Sequence, residues 1–213
     1  MTLAKTQATD GRVIGTRATK TRARILDATK KLLDDHGVLD IKVVDITREV
    51  RMSPATFYQY FTDVDEAILT LADEAAADAA PVVDMLAIDW TPDDAYDHAL
   101  EFTRAYVDYW QDHQAILRAR NLQAEEGDAR FRAARSRAQL EYIRPLIERI
   151  EHGQLAGRIA AELNPYAAAA AMVAVLDRLV AYLSEFSRRG VSRADMETTI
   201  ARILVQTVTG HPA

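Results

Sequence analysis

The apolar residues of this chain recur at intervals of three and four positions, which is the spacing of one face of an α-helix. Between Thr21 and His36 this spacing is clear, and Gly37 follows as a C-terminal stop signal. No stretch shows the sustained alternation of apolar and polar residues that a half-buried strand requires. The pattern predicts an all-α fold of about nine helices, near residues 21–36, 43–50, 54–61, 64–80, 91–113, 114–125, 128–152, 164–190 and 192–208.

Polar residues that can accept the first free N–H groups of a helix stand before several of these stretches. Proline follows three of them, and its fixed φ suits the first helical position. An acid three residues later completes a capping box in two others. Pro81 is expected to kink or end the fourth helix, and Pro145 to bend the seventh. The start signals are Ser53-Pro54, Thr91-Pro92, Asn164-Pro165, Asp63 with Glu66, and Ser192 with Asp195.

Two short helices joined by a tight turn, over residues 43–61, are the parts of a helix-turn-helix. Such a unit places its second helix in the major groove of DNA. Phe57 and Phe61 are four residues apart and are expected to share the buried face, while Ala55 can touch a thymine methyl. The pattern alone also fits a small aromatic core with incidental surface tyrosines. The polar candidates for contacts with phosphates or base edges are Ser53, Thr56, Tyr58, Gln59 and Tyr60.

The same region resembles the N-terminal signature of TetR-family regulators, most specifically in the Thr-Phe-Tyr-Gln-Tyr-Phe run at 56–61. The resemblance also draws on residues 24–28, Gly37, 44–46, 53–55 and 65–69. It implies a homodimer that binds a palindromic operator in double-stranded DNA and is released by a ligand in its C-terminal domain. By position, it implies that Thr56, Tyr58 and Tyr60 contact phosphates or bases and that Ala55 faces a base.

Four positions depart from the family pattern. Arg51 stands at the turn position usually held by glycine, where a positive φ is expected. Lys42 replaces the usual Ser or Thr cap of the second helix; it cannot cap, but it can reach a phosphate. Thr47 replaces a common alanine between the helices, and Val64 replaces a common lysine, which removes one expected phosphate contact.

The first part of the chain and the remainder carry net charges of opposite sign. The net charge is −6, but residues 1–31 carry eight bases and two acids, so the remainder carries −12. A basic head on an acidic body suits a protein that binds a polyanion at one end. Arg17, Lys20 and Arg22, with Arg12 before them, are expected to reach DNA as a flexible arm does. The alternative is a solubilising tail. The predicted organisation is a basic arm over 1–19, a helix-turn-helix domain over 20–66, and a ligand-binding and dimerisation domain over 67–213.

In the C-terminal part, aromatic residues at helical spacing predict one face of a helix. Such stripes are usually plain core, but in the family they line a ligand cavity, and a concave apolar site with a few polar groups is the general form of such a cavity. A mostly apolar small molecule is therefore expected there. The predicted ligand contacts are Phe102, Tyr106, Tyr109, Trp110, Asn121, Ala138, Tyr142, Met172 and Leu176.

The predicted helix that begins at Asn164 is apolar on nearly all sides, so several of its faces must be covered. Its own domain can cover one face, and a second copy of the chain is the natural cover for another. A monomer with a very buried helix is the alternative. The predicted dimer contacts, including two from the last helix, are Val175, Leu179, Tyr182, Phe186, Ile200 and Leu204.

Catalytic chemistry finds little support in the residues present. The chain has no cysteine, its five histidines show no metal-ligand spacing, and it has no glycine-rich phosphate loop. We expect no catalytic residue, metal or cofactor. No apolar run is long enough to span a membrane, so a cytoplasmic location is expected. The remaining alternatives are a constitutive DNA-binding regulator without an inducer and an all-α enzyme.

Overall fold

The computed structural model describes residues 15–36 and 41–210. These residues form helices and no strand, which confirms the all-α prediction. The described part has eleven helices rather than about nine, because a short helix follows residue 78 at Pro81 and the helix expected over 164–190 breaks at Tyr182. The expected stop at Gly37 and the arm residues before 15 lie outside the described residues. The helices are α1 (Thr16–His36), α2 (Val43–Glu49), α3 (Pro54–Phe57), α4 (Val64–Asp78), α5 (Ala80–Asp84), α6 (Ala95–Asp112), α7 (Gln114–Glu125), α8 (Ala129–Leu155), α9 (Pro165–Ala181), α10 (Leu183–Ser187) and α11 (Arg193–Thr209).

Two helix starts differ from the sequence expectation. Helix α1 begins at Thr16 instead of near Thr21. The helical path is already formed there, since the hydroxyl of Thr21 donates to the carbonyl of Arg17 at 3.1 Å. The predicted start of α6 at Thr91 is wrong, because the Asp94 carboxylate accepts the Thr91 N–H at 2.8 Å and closes a turn before the helix.

Most of the predicted caps are present. The Ser192 hydroxyl accepts the Asp195 N–H, and Asp195 returns the bond to Ser192, so the capping box of α11 is confirmed. Asn164 caps α9 in the same way, by accepting from Ala167. At α4 the box is displaced: Asp63 accepts from Glu66 at 2.7 Å, but Glu66 reaches back to the N–H of Thr62.

The chain divides into two compact units, and the first is not continuous along the sequence. It combines the described residues up to Ala75 with Ala115–Arg135. Helices α1 to α4 supply most of its core, but α7 and the first turn of α8 complete it. The fully buried members include Ile25, Ile46, Phe57, Phe61, Ile68 and, from the later segment, Phe131.

The second unit consists of Ala76–Gln114 and the chain from Ser136 onward. Here α11 packs against α6 and α9. Helix α8 continues through Pro145 without a break, as the predicted helix over 128–152 requires, and the bend expected at Pro145 stays a prediction. The core of this unit includes Phe102, Trp110, Leu146, Ile150, Val173, Ile200 and Leu204.

Candidate functional sites

Helix α3 is short but firmly anchored. The Ser53 hydroxyl accepts the N–H of Thr56 at 3.2 Å, which confirms the predicted N-cap. Phe57 and Phe61 are 0% and 1% exposed, with ring centroids 5.8 Å apart, so the predicted buried face is confirmed. Regular α-helix ends at Phe57. The backbone N–H groups of residues 58–61 still donate to carbonyls three or four residues earlier, so the helical turns continue to Phe61. The segment is therefore fixed in place by two aromatic side chains.

The polar side of this segment faces outward in part. Ala55, Tyr58 and Gln59 are exposed, and Tyr58 retains 52% of its surface. Thr56 is half-buried and shares a 2.9 Å hydrogen bond with the exposed Ser53. Tyr60 is half-buried and packs against the core. A rigid segment with an exposed ring, amide and methyl has the groups needed to read base edges.

The turn before α3 has the hydrogen bonds of a Schellman motif. Met52 N–H donates to the Thr47 carbonyl at 3.0 Å, and Arg51 N–H donates to that of Arg48 at 3.2 Å. Arg51 has φ +54°, and the described chain contains no other non-glycine residue at positive φ. The turn expected of glycine is thus made by an exposed arginine, at a cost in strain.

The predicted basic contacts have different settings. Lys42, Arg17 and Lys20 are exposed. Arg22, in contrast, donates to the Thr70 hydroxyl at 3.2 Å and lies 4.9 Å from the centre of the Phe61 ring. Arg22 therefore joins α1 to α4 in the first unit, and its contact with DNA stays a prediction. Arg48 on α2 was not among the predicted DNA contacts, although its side chain is 79% exposed.

Three aspartates surround the Arg130 guanidinium in the first unit. Asp128 accepts from it at 2.8 Å, and Asp63 and Asp65 lie 3.7 and 3.5 Å from its nitrogens. The hydrogen bond from Arg130 lowers the pKa of Asp128 to about 2. Burial, and then the charge of Asp63, raise the pKa of Asp65. This ionic cluster ties the start of α4 to the turn before α8.

An aromatic cluster occupies the second unit, where the stripe on α6 meets α8. Phe102, Tyr106 and Trp110 are almost fully buried, as the spacing predicts. The ring of Tyr142 packs edge-on against Tyr106, with centroids 5.4 Å apart. Tyr109 packs against Tyr106 at 6.3 Å. Within the described residues, the buried indole N–H of Trp110 has no hydrogen-bond acceptor.

Two polar residues at this cluster were not among the sequence candidates. The hydroxyl of Tyr106 donates a short hydrogen bond to the Asp177 carboxylate of α9. Gln139, on α8, donates to the other oxygen of that carboxylate at 3.0 Å. A signal was available in the sequence, because Asp177 is the single acid between Glu162 and Glu185, on a largely apolar helix. The chemistry of the cluster is therefore aromatic and anionic.

The other predicted ligand contacts are distributed between the two units. Ala138 and Met172 are half-buried in the second unit, and Leu176 is 1% exposed there. Asn121 belongs to the first unit, where its side-chain oxygen accepts two hydrogen bonds from Arg120. Asn121 thus belongs to a different compact unit from the aromatic cluster.

The predicted dimer contacts fall into two groups. Val175, Leu179, Tyr182 and Phe186 are half-buried, which leaves apolar surface on α9 and α10. Ile200 and Leu204 are only 2% and 1% exposed, because α11 turns them into the core of its own unit. They have almost no surface left for contact with a second chain. Their neighbour Ile203 is the large apolar side chain of α11 that is exposed and could contact one.

None of the helices in the described ranges is long and apolar enough to cross a membrane. Residues 25–66 match the family model described as bacterial regulatory proteins, tetR family. Residues 82–213 match the model described as tetracyclin repressor-like, C-terminal domain. A search of curated proteins found no match.

Solved structures share the fold at low sequence identity. GusR of Salmonella enterica is 19% identical, with a TM-score of 0.66 over 91% of this chain and 97% of that one. FadR of Bacillus subtilis, solved in complex with stearoyl-CoA, is 14% identical, with a TM-score of 0.64 over 88% and 98%. PfmR of Thermus thermophilus, a TetR-family transcriptional regulator, is 17% identical, with a TM-score of 0.58 over 87% and 97%.

Proposed function

Because this chain belongs to the TetR family of bacterial regulatory proteins, we propose that it is a ligand-responsive repressor. A homodimer binds a palindromic operator and leaves it when a mostly apolar small molecule binds the second unit. The protein acts in the cytoplasm, where the DNA is.

The observation that carries this proposal is the construction of the segment 53–61, which contains α3. Two fully buried phenylalanines and the Ser53 cap fix its backbone, while Tyr58 and Gln59 stay exposed. Base-edge contacts depend on short, directional hydrogen bonds, so a rigid support favours discrimination between sequences. Lys42, Arg17 and Lys20 supply exposed positive charge in the same unit for phosphate contacts.

The half-buried apolar side chains of α9 and α10 support the homodimer. Val175 and Leu179 lie one turn apart on α9, and Tyr182 and Phe186 follow at the same spacing. Burying such a stripe against its copy gives a two-fold axis. Two recognition helices must then lie about 34–36 Å apart to enter successive major grooves. A palindromic operator is the DNA that matches this symmetry.

The aromatic cluster supports a ligand of apolar character. Stearoyl-CoA, bound by the Bacillus subtilis relative, has a long apolar chain. Helix α4 runs from the first unit into the second, since Ala75 and Ala76 fall on either side of the division. A ligand that binds the released form better shifts the population toward that form. A typical coupling of about 1–3 kcal/mol then weakens operator binding by roughly 5–150-fold.

Footprinting on the DNA that flanks the protein's own coding region tests this function. The expected result is a protected palindrome, with protection lost when an active compound from a metabolite library is added. Absence of a protected site would contradict the operator. Protection that no compound changes would instead favour a constitutive DNA-binding regulator.

A further inference from the structure

The carboxylate of Asp177 is held among neutral partners. It is half-buried on α9, and it accepts hydrogen bonds from the Tyr106 hydroxyl and the Gln139 amide. Within the described residues it forms no ion pair. The next residue, Arg178, directs its guanidinium over the ring of Tyr182, at 4.1 Å from the centroid. The unit thus contains a partly desolvated negative charge without a counter-ion of its own.

Such an arrangement favours a cation. Removing a carboxylate from water is costly, and hydrogen bonds from neutral donors offset only part of that cost. An approaching positive charge gains Coulomb energy in this partly desolvated setting, whereas an approaching anion loses it.

The rings beside the carboxylate add a second attraction for positive charge. Tyr106 both donates to Asp177 and packs edge-on against Tyr142, while Phe102 and Tyr109 flank Tyr106 at 6.0 and 6.3 Å. The face of an aromatic ring attracts an ammonium group through the ring quadrupole. One tyrosine therefore connects the Asp177 carboxylate to the buried aromatic cluster.

We infer that the ligand of the second unit carries a cationic head group, an amine or quaternary ammonium, on its apolar body, with Asp177 as the counter-ion. The inference rests on the proposed function, because it names the class of ligand for that same unit. It also excludes a carboxylate or phosphate head group from the position beside Asp177.

Two probes of the same shape test the role of charge. Phenyltrimethylammonium is a permanent cation, and tert-butylbenzene is its uncharged carbon isostere; 4-phenylbutyrate serves as an anionic probe. Titration calorimetry on the full chain is expected to show the cation binding at least about tenfold more tightly than the isostere, a difference of about 1.4 kcal/mol. The anion is expected to bind most weakly.

Variants locate the effect. Asp177→Asn is expected to bring the affinities for cation and isostere within about twofold, because a neutral amide keeps a hydrogen-bonding group but not the charge. Asp177→Glu should retain the preference. Glu151→Gln, which removes one exposed charge from α8, is the matched control and should also retain it. Thermal melts verify that each variant is folded.

Three results would overturn the inference: equal affinities of the unaltered protein for cation and isostere, tighter binding of the anion, or a cation preference that survives in folded Asp177→Asn. The first two need no variant.

Measurements of operator binding distinguish a failure of this inference from a failure of the proposed function. If a neutral or anionic compound releases the operator while the cation does not bind, the inference fails and the repressor proposal stands. If the cation binds through Asp177 but leaves operator affinity unchanged, the inference stands and the ligand response fails.

Discussion

The backbone N–H of Met52 donates to the carbonyl of Thr47 at 3.0 Å, and this bond closes the turn between α2 and α3. Closure places the intervening Arg51 at φ +54°. An L-residue there is strained by roughly 1–2 kcal/mol, which glycine avoids. The arginine side chain is exposed and forms no ion pair within the described part of the chain. No ion pair of Arg51 there offsets the strain in its backbone.

Arg51→Gly is therefore expected to change stability and DNA binding in opposite directions. Relief of strain, less the greater backbone entropy of glycine, should raise the free energy of unfolding by about 0.5 kcal/mol. The exposed Arg51 guanidinium, just before α3, is expected to contact a phosphate, so operator affinity should fall and the slope of log affinity against log salt should become shallower by about 0.9. Urea unfolding measures the change in stability, and fluorescence anisotropy measures the change in operator affinity.

Arg51→Lys, which keeps both the charge and the strained backbone, is the control. An unchanged salt slope in Arg51→Gly would remove Arg51 from the interface.

Tyr58→Ala is expected to weaken operator binding by roughly 1–3 kcal/mol, the scale of one good contact. Because its ring is 52% exposed, its loss should leave the fold intact. Tyr166→Ala removes a ring of similar exposure, 55%, from α9 and is the matched control. Equal operator affinity for both variants would show that Tyr58 does not touch DNA.

The two aspartates nearest Arg130 should respond to pH with opposite signs. The pKa of Asp128 is lowered to about 2, so its ionised form stabilises the fold above the ordinary value of 3.8, and that stability is lost as pH falls through 2. The pKa of Asp65 is raised, so its ionisation costs stability as pH rises above 3.8.

Asp65→Asn should consequently be more stable than the unaltered protein at pH 7 and no more stable below pH 3.8. Asp128→Asn should be less stable at pH 7, with the difference vanishing toward pH 2. Urea unfolding across this range measures both. The same sign for the two substitutions at pH 7 would contradict this account of the cluster.

Leu179→Glu is expected to convert the homodimer into a folded monomer. The side chain is half-buried in the single chain, and a charge at an apolar seam costs several kcal/mol, on the order of 2–7 for an unsatisfied polar group alone. Ile88→Glu makes the same replacement at an apolar position that is 47% exposed outside α9–α11 and should remain dimeric. Sedimentation at micromolar concentration decides; a monomeric unaltered protein would refute the predicted dimer.

Ala138→Trp is expected to block ligand response without loss of operator binding. Ala138 lies one turn before Tyr142 on α8 and is half-buried, so an indole there competes with a ligand for the same space. Ala156→Trp, at an exposed position just after α8, is the control. Operator release by ligand is the measurement. Normal release in a folded Ala138→Trp variant would place the ligand elsewhere.

The sequence predicted those features that depend on residues close together in the chain, namely helix caps and the residues that share one face of a helix. The cap at Ser53 and the capping box at Ser192 depend on residues three apart, and the pairing of Phe57 with Phe61 on residues four apart. The buried face of α6, with Phe102, Tyr106 and Trp110, also followed from helical spacing. Each of these signals lies within a few turns of chain.

Long-range contacts were beyond such rules. Asp177 meets Tyr106 across 71 residues, and nothing in the spacing of either helix specifies that pairing. Arg22 is predicted to contact DNA because it is basic and near the N-terminus, and nothing in its local sequence specifies its hydrogen bond to Thr70, 48 residues away. Ile200 and Leu204 have helical spacing suited to either side of α11, so the pattern could not distinguish its own core from a partner's surface.

The discontinuous first unit limits how this protein can be cut and recombined. Its core includes Phe131 and Ile116, which the chain supplies only after it has built part of the second unit. A gene fusion that joined residues 1–75 to a foreign sensor would leave the core that contains Ile25 and Ile68 without the side chains of Phe131 and Ile116. A protease that cleaved near Ala75 would likewise release no self-sufficient fragment. Exchange of DNA specificity between such regulators is therefore easier by substitution within α3 than by transplanting the whole N-terminal segment.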